Sequence, residues 1–252
     1  MSNEVIKLIQ SHRSIRAFTD QEIREEQITD IVEAGRRAPT SHNVQAYSIV
    51  VIQDPKKKDE LARLSGNQSY ISKCPVFFVL IADFYRLKKA SEIHEQPFEV
   101  GEVEQLLVGS VDCALVAENM LVASRSLGLG GVMIGGIRNN PEEVAKLLNL
   151  PEYTFPIMGL CIGYPDQNPD QKPRLPKGAI VFNENYDTDQ VEAGLKEYDA
   201  VTEEYYRQRT NGLKTDSWSK QMATFSSNPK RSHVGDYVKG QGFLTAYHKK
   251  NS

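Results

Sequence analysis

One long apolar stretch, from Glu102 to Arg138, constrains the fold of this chain more than any other feature. At about 100° per residue, its polar side chains fall within an arc of roughly 160° and leave the rest of a helical wheel to Leu, Val and Ala. Twenty-odd residues at about 1.5 Å each make a rod of roughly 35 Å, as long as a small domain is wide. We therefore predict a mostly buried helix that is either the spine of the core or the seam of a dimer. The polar residues, whose recurrence argues against a membrane span, are Glu104, Gln105, Asp112, Glu118, Asn119 and Arg125.

The stretch ends in a glycine-rich segment, Leu127–Gly136, which predicts a strand bordered by glycines. A residue without Cβ lets the backbone approach a flat or charged ligand and present its N–H groups. Gly135 and Gly136 are therefore a candidate ligand edge, although glycine pairs also form ordinary turns. The segment is not a dinucleotide fingerprint, because that motif places its glycines between a strand and the helix that follows, and here the helix comes first.

Length and composition narrow the class of protein. With 252 residues, 40% hydrophobic and 25% charged, the chain can bury a core as one large domain or two small ones. A net charge of −3 gives no overall footprint for nucleic acid. Cys74, Cys113 and Cys161 lie far apart without a CxxC motif, which argues against a metal site or a disulfide framework and suits a reducing compartment. The polar N-terminus and the lack of an uncharged run of membrane length predict a cytoplasmic protein with no membrane segment.

Three apolar runs predict buried strands: Tyr47–Ile52, Val76–Ala82 and Ile157–Gly163. The second is apolar at every position, which is typical of a central strand covered on both faces. Residues 84–101 have mixed charge and little periodicity, and they predict a mobile connection or a lid. The composition turns polar after Asp187. A helix is predicted from Asp189 to Arg209, and the tail has no apolar strand of its own, so we expect it to wrap another surface, most simply a partner subunit.

Two short basic clusters are candidate anion sites. Ser11–Arg16 holds a His, two Arg and two Ser within about two turns, and guanidinium and hydroxyl groups are the groups that hold phosphate. Lys172–Pro176 holds two cations between prolines, whose rigidity favours fixed placement. Both clusters also fit a solvated charged surface. The polar loop Thr40–Gln45 fits ordinary turn chemistry as well as it fits ligand binding.

In order and spacing, these segments resemble the nitroreductase superfamily of FMN enzymes, most closely its oxygen-insensitive NADPH nitroreductase and NADPH-flavin oxidoreductase branch. The resemblance covers nearly the whole chain. The segments that carry it are His12–Arg16, Ala38–Ser41, Gly66–Gln68, Leu127–Gly131 with Ile134–Arg138, Lys172–Pro176, and Arg209–Gly212 before Trp218.

The resemblance implies an α+β, nitroreductase-like fold with a central, mainly antiparallel sheet flanked by helices. It also implies an intertwined homodimer whose long helices meet at the interface and whose C-terminal arm crosses to the other subunit. Residues 1–252 would form a single FMN-binding domain, with 187–252 as an extension that wraps the partner. Two FMN molecules would bind at the dimer interface, with residues of both chains around each flavin.

Particular residues receive roles from the same resemblance. The ribityl phosphate would be held by His12, Ser14, Lys172 and Arg174, with Arg13 from the same segment, because such groups neutralise a dianion through charge-assisted hydrogen bonds. Arg16 would lie at the N1/O2 end of the isoalloxazine, where negative charge collects in reduced flavin. The remaining cofactor-binding residues would be Ile15, Thr40, Ser41, Gln68, Met133, Ile134, Gly135, Gly136 and Pro173, with a glycine N–H near N5. Arg209 and Lys214 would hold the 2′-phosphate of NADPH.

The implied activity is oxidoreduction at FMN. NADPH would give hydride to flavin N5 and leave, and a nitroaromatic, quinone or flavin acceptor would then take its place, with no catalytic side chain required. Alternatives are an NADPH-dependent FMN reductase that supplies free reduced flavin, a flavin-binding module without turnover, and a structural dimer without cofactor. Lys214 stands where some relatives carry Arg, and a point charge is a poorer phosphate ligand than guanidinium. His42–Asn43 also departs from relatives, which leaves the physiological acceptor open.

Overall fold

The computed structural model describes residues 3–245. Its helices are α1 (Glu4–Gln10), α2 (Glu25–Arg36), α3 (Pro55–Leu64), α4 (Ser69–Lys73), α5 (Tyr85–Ile93), α6 (Val103–Ser126), α7 (Pro141–Leu147), α8 (Thr188–Arg209), α9 (Trp218–Ser227) and α10 (Val234–Gly240). Its strands are β1 (Tyr47–Ile52), β2 (Val76–Asp83), β3 (Gly130–Ile134) and β4 (Thr154–Gly163). Single 3₁₀ turns occur at Ser41–Asn43, Gly135–Arg138 and Lys177–Ala179.

The strands form one sheet in the order β1-β2-β4-β3, and every neighbouring pair is antiparallel. Strand β2 lies inside the sheet and is buried at all eight positions. Successive side chains of a strand point to opposite faces, so a strand without polar positions needs cover on both. The α+β class, the antiparallel sheet and the central position of the fully apolar run are confirmed.

Each face of β2 enters a different hydrophobic cluster. Phe78 and Leu80 lie in a cluster that includes residues of α2 and α6, such as Ile31 and Met120. Phe77, Val79 and Ile81 lie in a second cluster with residues of α3, α4 and α7, which are Leu61, Leu64, Ile71 and Val144. Helices therefore cover the sheet on both sides, as predicted.

Helix α6 matches the predicted long helix, but its buried face differs from the prediction. A Cβ on Gly109 would lie 2.7 Å from Ala82 Cβ, so this glycine permits the close approach of α6 to β2. Asp112, which belongs to the predicted polar arc, is only 1% exposed. Conversely, four apolar residues spaced four apart are exposed: Val103, Leu107, Val111 and Leu115. The helix is thus less buried within one chain than predicted, because one whole apolar stripe stays exposed among the described residues.

By length and mean hydropathy, α6 would also qualify as a membrane span. Its buried residues pack on the sheet and on α2, however, which accounts for much of its apolar character. The prediction of a core helix explains this segment without a membrane.

The predicted mobile connection at residues 84–101 is wrong in its first half, because residues 85–93 form helix α5. Ion pairs one turn apart, from Lys89 and Lys88 to Glu92, stabilise this helix without an apolar stripe. Asn140 precedes α7, but its side chain donates to the Leu64 carbonyl at 2.7 Å and does not cap the helix.

The described residues divide into two compact units. One runs to Pro169 and resumes at His233, and the other is Asp170–Ser232. In the first unit, Phe243 is fully buried and meets Phe84 edge to face at 5.8 Å, while Gln241 accepts a hydrogen bond from Tyr153 N at 3.0 Å. Residues 233–244 therefore pack on their own chain, which differs from the predicted arm over 187–252. In the second unit, α8 and α9 meet through Tyr198 and Trp218 at 5.7 Å.

Candidate functional site

The basic segment 12–16 follows the end of α1 and is held in an extended course by main-chain contacts. Ile15 N donates to the Gly131 carbonyl at 3.0 Å, and Gly130 leaves room for the Ile15 side chain, which a Cβ there would strike. On the other side, Asp166 N donates to the Ala17 carbonyl at 3.0 Å. The segment is thereby fixed beside β3, the strand that leads to the predicted ligand edge.

The side chains of this segment have different surroundings. Arg13 donates to Asn168, and its Nε is buried without a hydrogen-bond partner among residues 3–245. A buried N–H donor without an acceptor is costly, so this position suits an acceptor that a ligand would supply. His12 and Ser14 are half-buried, whereas Arg16 is exposed.

Three predicted site residues lie together around Tyr70, a residue that sequence reasoning missed. Burial raises the pKa of Tyr70, and the nearby positive charge of the Arg16 guanidinium partly opposes that shift. The Tyr70 hydroxyl donates to Gln68 Oε1, and Gln68 Nε2 donates to the Ser65 carbonyl at 2.7 Å. A Cβ on Gly136 would collide with Gln68 Nε2 and with the Ser65 carbonyl. Arg16, Gln68 and Gly136 therefore lie together, and Tyr70 links the first two.

The glycine edge itself is the turn that follows β3. Met133 and Gly135 are half-buried, while Ile134 and Gly136 are buried. An Arg138 guanidinium nitrogen lies 3.4 Å from the position of a Cβ on Gly135, so Arg138 flanks the edge although it was not among the predicted ligand residues. Gly135 has no Cβ and is only half-buried, so its backbone can approach a planar ligand, which fits the predicted role of the glycines.

The loop with Thr40 and Ser41 is anchored elsewhere. Its flanking residues Ala38 and Ala46 belong to the cluster on the α2–α6 face of the sheet, whereas Ile15 belongs to the cluster on the opposite face. Within one chain, the sheet thus separates the loop from the group around Arg16.

The second unit carries the other predicted cations. Lys172 Nζ and Lys214 Nζ lie over the same ring, that of Tyr206, at 5.8 and 4.3 Å from its centroid. Lys172 was predicted for the flavin phosphate and Lys214 for NADPH, so the structure brings together residues assigned to different ligands.

The remaining predicted residues of this unit are also oriented by tyrosines of α8 or by local contacts. The Tyr198 hydroxyl donates to the Pro173 carbonyl at 2.8 Å, and Arg174 Nη1 donates to the Lys172 carbonyl at 2.9 Å. Arg209 Nη1 donates to the Tyr205 hydroxyl at 2.8 Å. The sequence indicated this last hydrogen bond only through the spacing, because Tyr205 precedes Arg209 by one turn on the same face of the helix.

Thiol chemistry has no place in this site. All three cysteines are free and buried. Burial raises the pKa of Cys113, and burial together with contact from Cys74 raises the pKa of Cys161, so these groups stay protonated at neutral pH and are poor nucleophiles. Within residues 3–245, no group of His, Cys, Asp and Glu is arranged to hold a metal ion.

Comparison with known proteins identifies the class of protein to which this fold and candidate site belong. The sequence profile of the nitroreductase family matches residues 9–164, and that of its C-terminal domain matches residues 172–246. The chain belongs to the nitroreductase family.

Individual relatives resemble almost the entire chain. The "FMN reductase (NADPH)" of Bacillus subtilis (strain 168) is 42% identical over 247 residues, which cover 96% of this chain and 98% of the relative. The solved structure of B. megaterium NfrA1 has a TM-score of 0.94 at 42% identity and covers 96% of this chain and 100% of that one. The NADPH:FMN oxidoreductase of Vibrio harveyi, solved in complex with NAD+, has a TM-score of 0.85 at 35% identity, with coverage of 96% and 100%.

Proposed function

We propose that this protein is an FMN-dependent oxidoreductase that takes hydride from NADPH and passes it to a small-molecule acceptor. The observation that carries the proposal is the group formed by Arg16, Tyr70, Gln68 and Gly136, in which a guanidinium and an amide lie close to the glycine turn. The names of the relatives support it, since one is called an FMN reductase (NADPH) and another an NADPH:FMN oxidoreductase.

The residues present fit FMN. The buried Arg13 Nε has no hydrogen-bond partner in the described part of the chain and suits a phosphate oxygen, and the site offers hydroxyl, imidazole and guanidinium donors within one segment. When bound, FMN supplies the two-electron hydride chemistry. The protein's part is then to bind and orient: His12–Ser14 hold the phosphate, Arg16 places a fixed positive charge at the pyrimidine end, and Gln68 hydrogen-bonds that edge. The backbone of Met133–Gly136 supports the ring.

For the nucleotide donor we assign Arg209 and Lys214. Both cations are held on tyrosines of α8 and therefore have a restricted position, which suits recognition of a phosphate. Lys172, Pro173 and Arg174 are assigned to the flavin phosphate.

We further propose that two copies form a homodimer around shared flavin sites, with each chain acting as one domain and residues 187–232 reaching the partner. The exposed stripe Val103, Leu107, Val111 and Leu115 on α6 supports the seam. The arm also exposes apolar side chains, among them Leu213 and Phe225. The separation of Thr40 and Ser41 from the Arg16 group by the sheet fits a site completed by a second chain. Three free, buried thiols fit a cytoplasmic location.

A flavin reductase that releases reduced FMN is a second candidate, which the name of the Bacillus relative favours. The discriminating assay measures kcat/KM for NADPH oxidation with nitrofurazone and with free FMN as acceptors. The proposed function predicts turnover with both, and the larger value identifies the better acceptor class. An FMN-loaded protein that oxidises NADPH with neither would contradict the proposed function.

The same assay tests the donor site. Arg209→Ala removes a charge-assisted contact to phosphate, so kcat/KM for NADPH should fall roughly 10–100-fold while that for NADH stays constant. Arg207→Ala is the matched control, because Arg207 is exposed on the same helix and forms an ion pair with Glu204 of that helix. A parent-like ratio of NADPH to NADH in the Arg209 variant would remove Arg209 from this role.

A further inference from the structure

The loop at residues 40–46 contains several residues with an unfavourable backbone conformation. His42, Asn43 and Gln45 all have positive φ angles, of 46°, 57° and 52°. Residues with a Cβ rarely adopt this left-handed region, because it is sterically unfavourable for them. Three of them within four residues persist only where surrounding contacts fix the backbone.

Asp112 on α6 supplies one of these contacts. Its Oδ1 accepts from Ser41 N at 3.3 Å and its Oδ2 accepts from Ala46 N at 3.0 Å. The two oxygens of one buried side chain thus hold both ends of the loop. The same carboxyl group explains why a polar residue is tolerated on the buried face of α6, since its oxygens are satisfied by main-chain donors.

Arg86 on α5 supplies further contacts to the loop. Its Nη2 donates to the Gln45 carbonyl at 3.0 Å and to the Tyr47 carbonyl, and its Nη1 donates to Ser48 Oγ at 2.9 Å. The guanidinium is itself oriented by Asp83, which is only 7% exposed and pairs with Nη1 at 3.2 Å. A planar fork can bond several carbonyls in fixed geometry, which an ammonium cannot do.

The clamped loop lines a cavity of about 510 Å³. Ser41, His42 and Val44 contribute from the loop, Leu87 contributes from α5 and Val108 from α6. The helices that carry the two anchors therefore line the same cavity as the loop that the anchors hold. This volume suits a ligand of small-molecule size.

We propose that Arg86 and Asp112 are positioning residues that hold the loop in the geometry required by the flavin and the acceptor. The inference rests on the proposed function, because Thr40 and Ser41 are assigned to the flavin there. It adds that affinity for FMN and acceptor depends on two side chains that act through the position of the loop and do not line the cavity.

The test uses Arg86→Met, Arg86→Lys and Asp112→Asn in the full-length protein. Losing charge-assisted hydrogen bonds to the loop should raise the FMN Kd and the acceptor KM about tenfold in Arg86→Met. Arg86→Lys keeps the charge and should lie between Arg86→Met and the parent. Asp112→Asn keeps the shape but presents an NH₂ group to one main-chain donor, so it should resemble Arg86→Met. The preference for NADPH over NADH should not change, because Arg209 is untouched.

Arg63→Met is the matched control, since Arg63 is similarly exposed and pairs with Glu60 on α3. Hydrogen–deuterium exchange, measured without FMN, should rise in residues 40–46 of the Arg86→Met and Asp112→Asn variants and stay constant in β2. Parent-like exchange in that loop would overturn the inference whether or not the protein binds flavin. A lowered Tm with unchanged Kd and KM would show a purely structural role and overturn it too. A parent protein that binds no FMN, with faster loop exchange in the variants, would instead count against the proposed function.

Discussion

At the scale of single residues, the site depends on how Arg16 is connected to the glycine edge. Arg16 is exposed and would have many rotamers by itself, but Tyr70 and Gln68 link it to the backbone of Ser65. A cation held in this way can favour negative charge at one end of a ligand without reorganising during the reaction. Tyr70 is therefore as much a part of the candidate site as the residues that we assign to the ligand.

Gly136 is the residue whose replacement tests this packing. Gly136→Ala would place a Cβ against Gln68 Nε2 and the Ser65 carbonyl. Because one of these atoms belongs to the backbone, the chain must shift. We expect the free energy of unfolding to fall by about 1–3 kcal/mol and FMN binding to weaken. Chemical denaturation and a flavin titration measure the two effects.

Gly235→Ala is the control for that substitution, because a Cβ at Gly235 meets no atom within 4 Å. Its position in α10 predicts unchanged or slightly higher stability. If Gly136→Ala behaved like Gly235→Ala in both measurements, the close packing of Gln68 beneath the glycine edge would be refuted.

At the scale of elements, the strong hydrophobic patterns were sufficient to predict structure. β1 has the predicted ends, and β2 extends the predicted run by one residue. Their bounds follow from local composition, since apolar runs end at polar residues. α5 was missed because its stability comes from ion pairs and an ordered start at Asp83, whose Oδ1 accepts from Tyr85 N at 3.0 Å, and not from an apolar stripe.

The sequence was sufficient to predict which residues belong to the candidate site, but not which hydrogen bonds hold them in place. Arg16, Gln68 and Gly136 were identified separately, yet Tyr70 and the loop anchors Arg86 and Asp112 were not. Their hydrogen bonds join positions up to 71 residues apart, and such contacts exist only once the sheet has formed. On a helical wheel, Asp112 looks like a solvent-facing residue. The hydrophobic periodicity of α6 carries no information on the two main-chain N–H groups of the loop that donate to its carboxyl group.

The exposed apolar stripe of α6 should be necessary for the proposed dimer. Two charges introduced by the double substitution Leu107→Glu and Val111→Glu would have to be desolvated at the proposed seam, which is unfavourable without partners. Light scattering should therefore report a dimer for the parent and a monomer for the variant. Val51→Glu, at a comparably exposed valine on β1, should remain dimeric. A parent protein that is monomeric while carrying FMN would contradict the shared site.

At the scale of the whole molecule, the candidate site residues are distributed over two compact units. The first, up to Pro169 and from His233, contains the sheet and the group around Arg16. The second, Asp170–Ser232, contains the cations arranged on the tyrosines of α8. Few of its side chains are buried, and it exposes several large apolar residues, so its own packing gives it little stability. A second subunit would supply the surface that these residues lack.

The central claim is that this chain binds FMN and that NADPH reduces the bound flavin. The most direct measurement is the visible absorption spectrum of the purified protein under anaerobic conditions, before and after one equivalent of NADPH. We predict flavin bands that bleach promptly when NADPH is added. A protein that shows no flavin bands, even after incubation with FMN, would contradict the assigned site and the function proposed from it.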